Sequence, residues 1–206
     1  MNFYDKYILP SFLNCACGSK PIKYQRSKVV PMAEGTVLEV GIGSGLNLPF
    51  YDPVKVSNII GLDPSEELNA MAKKVAENKG LDVEFILGDA ESIPLPDDQF
   101  DTVLITYTMC TIPDVLSANR EMRRVLKPGG KLIFCEHGLA PDANVRKWQR
   151  RIDPYWGKIA GGCHLNRDIP ALLLAAGFEI QSMEQMYLPS TPRFGGYNYW
   201  GTATAN

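Results

Sequence analysis

The chain has 206 residues, 45% of them apolar and 21% charged. That length supplies one domain with a sizeable core and room for an extension, and the composition argues against a disordered chain. With 21 Lys plus Arg against 23 Asp plus Glu, the formal net charge of −2 gives no footing for nucleic-acid binding by bulk charge. No apolar run approaches the roughly 18 residues of a membrane span, so no integral membrane segment is expected.

The first 35 residues carry no strand pattern and read as an N-terminal helical extension, 1–35, ahead of a main domain, 36–206. Lys6 and the apolar stretch behind it make a poor signal peptide, because Asp5 and Pro10 interrupt it. The aromatics Phe3, Tyr4, Tyr7 and Phe12 suit either a lid over a ligand or a helix docked on the core. Thr36 to Val40 is a short β run ending in glycines. Residues 57–63 form a second run, and a helix is expected over 65–78, where Leu68, Met71, Ala72, Val75 and Ala76 recur at helical spacing and Gly80 stops it. Strands over 83–87 and 101–106, a helix over 115–126 halted by Pro128-Gly129-Gly130, and a strand over 131–135 follow. Such alternation implies βαβ units and a parallel sheet with helices on both faces, an α/β fold of Rossmann-like type.

Beyond Glu136 the pattern changes to a helical insert, about 140–176. A helix over 144–159 carries Arg146, Lys147, Arg150 and Arg151 beside Trp148, Ile152, Tyr155 and Trp156. That face suits solvent, or peripheral contact with an anionic membrane surface. A short helix over 167–176 ends at Gly177, and 178–183 and 197–205 read as a final antiparallel pair joined by a Pro-rich loop, 188–192. The five cysteines, Cys15, Cys17, Cys110, Cys135 and Cys163, are odd in number and fit no zinc spacing, so no metal is expected. Reduced thiols packed as small hydrophobes point to a cytoplasmic setting.

The strongest local signal is Leu38-Glu39-Val40-Gly41-Ile42-Gly43-Ser44-Gly45-Leu46-Asn47, a strand running into three alternating glycines. Glycines there let a ligand approach the backbone at the switch point of an open α/β sheet. A dinucleotide site needs its third glycine one residue later, where Leu46 stands. Glu39 is ill-suited to a pyrophosphate but fits a cationic amino-acid tail. Those features favour S-adenosylmethionine, which has an ammonium, a carboxylate and a sulfonium and no phosphate. Asp63 ends the second strand and can accept from both ribose hydroxyls. Asp89, after the third strand, can receive the adenine amino group, and Ile93, Leu95 and Leu46 can sandwich its ring. Asn47 and Pro64 join the candidates for cofactor binding.

The segments E-V-G-I-G-S-G at 39–45, L-D-P at 62–64, G-D-A-E-S-I-P-L-P-D-D-Q-F-D-T-V at 88–103 and R-R-V-L-K-P-G-G-K-L at 123–132 resemble the class I S-adenosylmethionine-dependent methyltransferases. Within them they resemble the small-molecule branch that includes quinone and menaquinone C-methyltransferases. The resemblance implies a seven-stranded, mostly parallel sheet whose last strand is antiparallel. It also implies cofactor contacts at Glu39, Gly41, Gly43, Gly45, Asp63, Asp89 and Ala90 and near Thr106. The segments T-M-C at 108–110, E-H-G at 136–138, D-P-Y-W at 153–156, G-G-C-H-L-N-R at 161–167 and G-Y at 196–197 resemble the methyltransferase-like thiol S-methyltransferases. That group methylates small alkyl thiols and is tied to membranes by an N-terminal hydrophobic helix; the segment here is short and interrupted by Pro10.

Methyl transfer from a sulfonium is an in-line displacement that depends mostly on positioning. A thiol, with a pKa of about 8.5, asks little of a base. His137, at the end of the fifth strand, and His164 are the candidate bases, and Tyr107, leaving the fourth strand, can order the acceptor or face the sulfonium. Cys110 reads as packing. The expected function is therefore methylation of a small-molecule acceptor, an alkyl thiol or a lipid-like compound. A regulatory domain that binds the cofactor without turnover and a dinucleotide-dependent oxidoreductase are the alternatives.

Overall fold

The computed structural model describes residues 9–205. Its strands are β1 (Gly35–Val40), β2 (Val56–Asp63), β3 (Val83–Leu87), β4 (Phe100–Thr106), β5 (Leu126–His137), β6 (Phe178–Tyr187) and β7 (Tyr197–Ala205). Its helices are α1 (Leu9–Cys17), α2 (Lys20–Val29), α3 (Glu66–Lys79), α4 (Val115–Val125), α5 (Ala143–Ile159) and α6 (Ile169–Ala175). The strands make one sheet in the order β3-β2-β1-β4-β5-β7-β6. The pairs from β3 through β5 are parallel, and β7 runs antiparallel to both β5 and β6. The seven-stranded sheet with an antiparallel last strand is thus the one the resemblance implies.

Period-two alternation divides the core between the two faces of the sheet. Leu38, Val40, Val103, Ile105, Leu132 and Phe134 pack on one side with Ala118 and Met122 of α4 and Leu173 of α6. Val37, Leu104, Ile133 and Cys135 pack on the other with Ala72 and Ala76 of α3 and Val29 of α2. Helix α3 is bounded by local chemistry. The Ser65 hydroxyl accepts from the Leu68 N–H at its start, and Gly80 takes a left-handed turn, φ 64°, at its end.

Two boundaries differ from the sequence reading: β6 runs on to Tyr187, beyond the expected 183, because its last residues pair with β7 as far as Tyr197, and the start of β5 shifts. Pro128-Gly129-Gly130 does not separate α4 from β5; β5 already begins at Leu126 beside Phe100, and the register shifts before Thr102 pairs with Lys131. The left-handed Gly129, φ 79°, lets the extra residues loop out without ending the strand.

The order places β1 next to β4, while the chain after β1 travels outward through β2 and β3 before returning. The carboxyl ends of β1 and β4 are therefore the topological switch point, the crevice where open α/β sheets bind ligands. Among the described residues no helix is long and apolar enough to cross a membrane.

Candidate active site

The loop after β1 is held by its own backbone. The Gly41 N–H donates to the Leu62 carbonyl at 2.8 Å, and the Gly43 N–H donates to Asp63 Oδ2 at 2.9 Å. Gly41 is left-handed, φ 71°, and a Cβ there would lie 2.3 Å from Thr108 Cγ2, so Thr108, two residues past β4, can close on the loop only over a glycine. Gly45, φ 79°, does a different job: a Cβ would meet the Ala72 backbone at 3.0 Å, so this glycine seats the loop against α3. Asp63 is buried and accepts from Gly43 and, through Oδ1 at 2.9 Å, from the Ser65 N–H. Burial raises its pKa against those two backbone bonds.

Behind the loop lies a buried polar network. Glu39 accepts from the Asn47 amide at 2.9 Å on one oxygen and from the Tyr51 hydroxyl at 2.7 Å on the other. Asn47 also donates to Thr106 Oγ1 at 2.9 Å and accepts from Arg26 at 2.7 Å. Arg26 reaches in from α2, bonds Thr106 Oγ1, and stacks its guanidinium 5.1 Å from the centre of the Tyr107 ring. It is 6% exposed, its Nε has no acceptor, and among the described residues it forms no ion pair.

Burial pushes the Glu39 carboxyl up to about 7, against the bonds from Tyr51 and Asn47, and pushes Glu136 up to about 7 as well, against bonds from the Thr108 and Met109 N–H groups. Both groups keep their proton to a higher pH folded than unfolded, where the ordinary value is 4.5. Within that window the unfolded state binds fewer protons, so their contribution to stability is complete below it and is lost as the pH rises through 7. Glu39→Gln removes one of the two titrations. Its unfolding free energy, from urea melts at about pH 5 and about pH 8, is expected to fall by roughly 2–3 kcal/mol less than that of the unsubstituted chain. Equal falls in the two proteins would show that Glu39 is ionised throughout.

A cavity of about 450 Å³ opens over the ends of β1, β2 and β4. Gly41, Gly43, Leu46, Asp63 and Leu68 line it from the β1–β2 side. Thr106, Tyr107, Cys110, His137, Trp156, Cys163 and Phe194 line it from β4, β5, the helical insert and the β6–β7 loop. Asn14, Cys17, Ile22 and Arg26 of the extension complete the wall, and Asn14 Oδ1 accepts from the Ser44 hydroxyl at 2.6 Å, tying α1 to the glycine loop. Of the aromatics expected as a lid, Phe3, Tyr4 and Tyr7 lie outside the described residues, as does the side chain of Phe12.

In the second wall, Cys110, His137 and Cys163 bring their sulfur and nitrogen atoms within 4.8 Å of one another, with Cys163 Sγ 3.4 Å from His137 Nε2. The Cys110 thiol lowers the Cys163 pKa most, and His137 lowers it further against burial. Burial opposes protonation of His137, but Cys163 and Glu136 outweigh it and its pKa rises. Trp156 and Phe194 meet edge to face, with centroids 6.4 Å apart, and give this side apolar walls.

The structure thus brings Gly41, Gly43, Asp63, Thr106, Tyr107 and His137 of the expected set to one cavity. It keeps others off the wall. Glu39 and Asn47 stand behind it in the network, Gly45 packs on α3, Ala90 is core, and Pro64 and Asp89 are exposed beyond it. Ile93, expected against an adenine ring, is core, while Leu68 stands beside Leu46 on the wall. The Tyr107 hydroxyl donates to Asn198 at 3.1 Å, so only the rest of that side chain serves the cavity. His164 turns away, exposed and 2.9 Å from Asp153, because Asp153 takes both its ring and the next backbone N–H, that of Leu165. Arg26, Cys163, Trp156 and Phe194 are additions. The glycine pair before Cys163 and the aromatic partners of the basic helix are the signals that pointed there.

The family described as a methyltransferase domain matches residues 38–134. A thiol S-methyltransferase of Homo sapiens is 33% identical over 84% of this chain and 75% of its own length, and one of Rattus norvegicus is 38% identical over 66% of this chain and 56% of its own. A demethylmenaquinone methyltransferase of Thermus thermophilus is 30% identical over 70% of this chain and 74% of its own. Among solved structures, a methyltransferase of Thermotoga maritima superposes with a TM-score of 0.68 at 22% identity, covering 98% of both chains. The chain spans little more than half the length of the rat protein.

Proposed function

Because the chain belongs to the class I S-adenosylmethionine-dependent methyltransferases, we propose that it acts on a small molecule and that this acceptor is a small, apolar thiol. When bound, S-adenosylmethionine supplies an electrophilic methyl on a cationic sulfur. The residues present fit it. Asp63 retains acceptor capacity for the two ribose hydroxyls, and the backbone of Gly41 and Gly43 faces the cavity without side chains. Arg26, a buried cation with an unpartnered Nε, suits the carboxylate of the amino-acid tail. Glu39 acts on that tail through Asn47 and Thr106, whose orientation it fixes.

The observation that carries the acceptor is the second wall. Trp156, Phe194, Leu165 and Ala160 make it apolar, and Cys110, His137 and Cys163 are its titratable groups. A thiol needs only modest help to lose its proton, whereas a phenol or an unactivated carbon needs a stronger base. A volume of about 450 Å³ shared with a nucleoside leaves room for a small acceptor. Helices α1 and α2 close the remaining side, and we read them as the lid that keeps water from the sulfonium. The similarity to thiol S-methyltransferases supports the same acceptor. The regulatory and dinucleotide alternatives are not favoured by any of these relatives.

Incubation with methyl-labelled cofactor and a panel of short alkyl thiols, quinols and phenols tests the reading. Label is expected in the thioether. Label confined to a quinol carbon or a phenol oxygen would overturn the thiol assignment while leaving the methyltransferase intact.

A further inference from the structure

We propose that Cys110, His137 and Cys163 form a zinc site whose fourth position faces the acceptor's sulfur. This rests on the thiol reading above. The three ligand atoms come from three separate segments, after β4, at the end of β5 and after α5, yet converge within 4.8 Å. Zinc binds thiolate sulfur at about 2.3 Å and imidazole nitrogen at about 2.0–2.1 Å, which at a tetrahedral angle separates the two by about 3.6 Å. Cys163 Sγ and His137 Nε2 are already 3.4 Å apart. All three residues line the cavity, so three protein ligands leave one position open, the pattern of catalytic zinc.

The cluster is also braced as a ligand set would need to be. The His164 N–H donates to the Cys110 carbonyl at 2.8 Å, joining the two cysteine segments directly. Arg167 donates to the carbonyls of Met109 and Ile112, on either side of Cys110. His137 is engaged through Nε2, which faces Cys163, while Nδ1 is buried without a partner, so the bracing comes from the two cysteine segments and the ring is placed by β5. Such support is what holds metal ligands in register.

Two thiolates and an imidazole leave a divalent zinc site neutral. An acceptor thiol that takes the fourth position releases its proton to solvent and binds as a thiolate, giving the site one negative charge opposite the cationic sulfonium. Its sulfur lone pair then forms the new bond to the methyl carbon. The old carbon–sulfur bond breaks with its electrons returning to the cofactor's sulfur, and the neutral thioether, a poor zinc ligand, departs.

The test begins with the full chain stripped by chelator and titrated with cobalt(II) alone, read by thiolate-to-cobalt absorption and by the strong visible bands of a tetrahedral ion, then with zinc in competition. About one metal per chain is expected. Cys110→Ser, Cys163→Ser and His137→Ala should each weaken metal binding by at least about tenfold. Cys15→Ser, on the exposed Cys15, should leave metal binding unchanged. Binding of S-adenosylhomocysteine to each variant, by calorimetry, identifies those that remain folded. Absence of tetrahedral cobalt spectra in the unsubstituted protein overturns the site, as does unaltered metal affinity in a folded Cys163→Ser variant. So does air oxidation to a Cys110–Cys163 disulfide in a protein that takes up no metal. Thiol methylation at full rate in metal-free protein removes the metal while preserving the thiol acceptor. Stoichiometric metal with no thiol methylated overturns the acceptor instead.

Discussion

Replacing Gln149 by Leu is expected to cost this protein a large part of its stability. Gln149 is wholly buried in α5. Its amide nitrogen lies at 2.9 Å from the Gly138 carbonyl, 2.8 Å from that of Leu165 and 3.0 Å from that of Phe194, while its oxygen accepts from the Ala140 N–H at 3.0 Å. Leucine fills a similar volume but answers none of these groups. The amide has two N–H bonds to share among the three carbonyls, so about three hydrogen bonds are lost; each buried polar group left unpaired costs about 1–3 kcal/mol, which puts the total at about 3 kcal/mol or more. Total stability for a domain is about 5–15 kcal/mol. The carbonyls belong to the segments that carry His137, Cys163 and Phe194, so the damage falls on the second wall of the cavity. Urea denaturation should show a midpoint shifted by a large fraction of the total. A loss under about 1 kcal/mol would mean that water or repacking satisfies those groups, and that Gln149 does not hold the wall together.

That side chain also explains what could and could not be read in advance. The parallel part of the sheet was legible because β1 to β4 carry short apolar runs, as in Val37, Leu38 and Val40, and because glycine or proline marks most boundaries. The exception, β5, runs through Pro128-Gly129-Gly130, since a breaker in sequence can equally be a bulge when a neighbouring strand takes up the slack. The β1–β2 side of the site was legible for a local reason: Gly41, Gly43 and Asp63 are brought together by one backbone hydrogen bond, to the Leu62 carbonyl, and one from the Gly43 N–H to the Asp63 carboxylate. The opposite side was not. Cys110, His137, Cys163, Trp156 and Phe194 belong to distant segments, and what gathers them is a glutamine and an arginine, Gln149 and Arg167, that look in sequence like ordinary polar positions of a helix and a loop. Arg26 sat in an extension with no pattern, and only tertiary burial shows that its charge points inward.

The second large effect concerns the cofactor. Asp63→Ala is expected to weaken binding of S-adenosylhomocysteine by about 100-fold or more, since two charge-assisted hydrogen bonds to ribose are worth about 1.5–3 kcal/mol each and every 1.4 kcal/mol is about tenfold. The loss has a second source in the structure. Without the carboxylate, the N–H groups of Gly43 and Ser65 lose their acceptor, and the glycine loop loses its tie to the end of β2. Asp63→Asn separates the two contributions. An amide keeps one oxygen for one of those N–H groups but carries no charge and accepts fewer bonds, so its affinity should fall between those of the parent and the alanine variant. Asp63 lies at the β2 end of the cavity, on the opposite wall from the thiol cluster, so turnover at saturating cofactor should fall far less than affinity. Calorimetry with the demethylated cofactor measures the first quantity, and initial rates with a thiol measure the second. Unaltered affinity in both variants would contradict the ribose assignment. A matching collapse of turnover at saturation would place Asp63 in the chemistry rather than in the grip on the nucleoside.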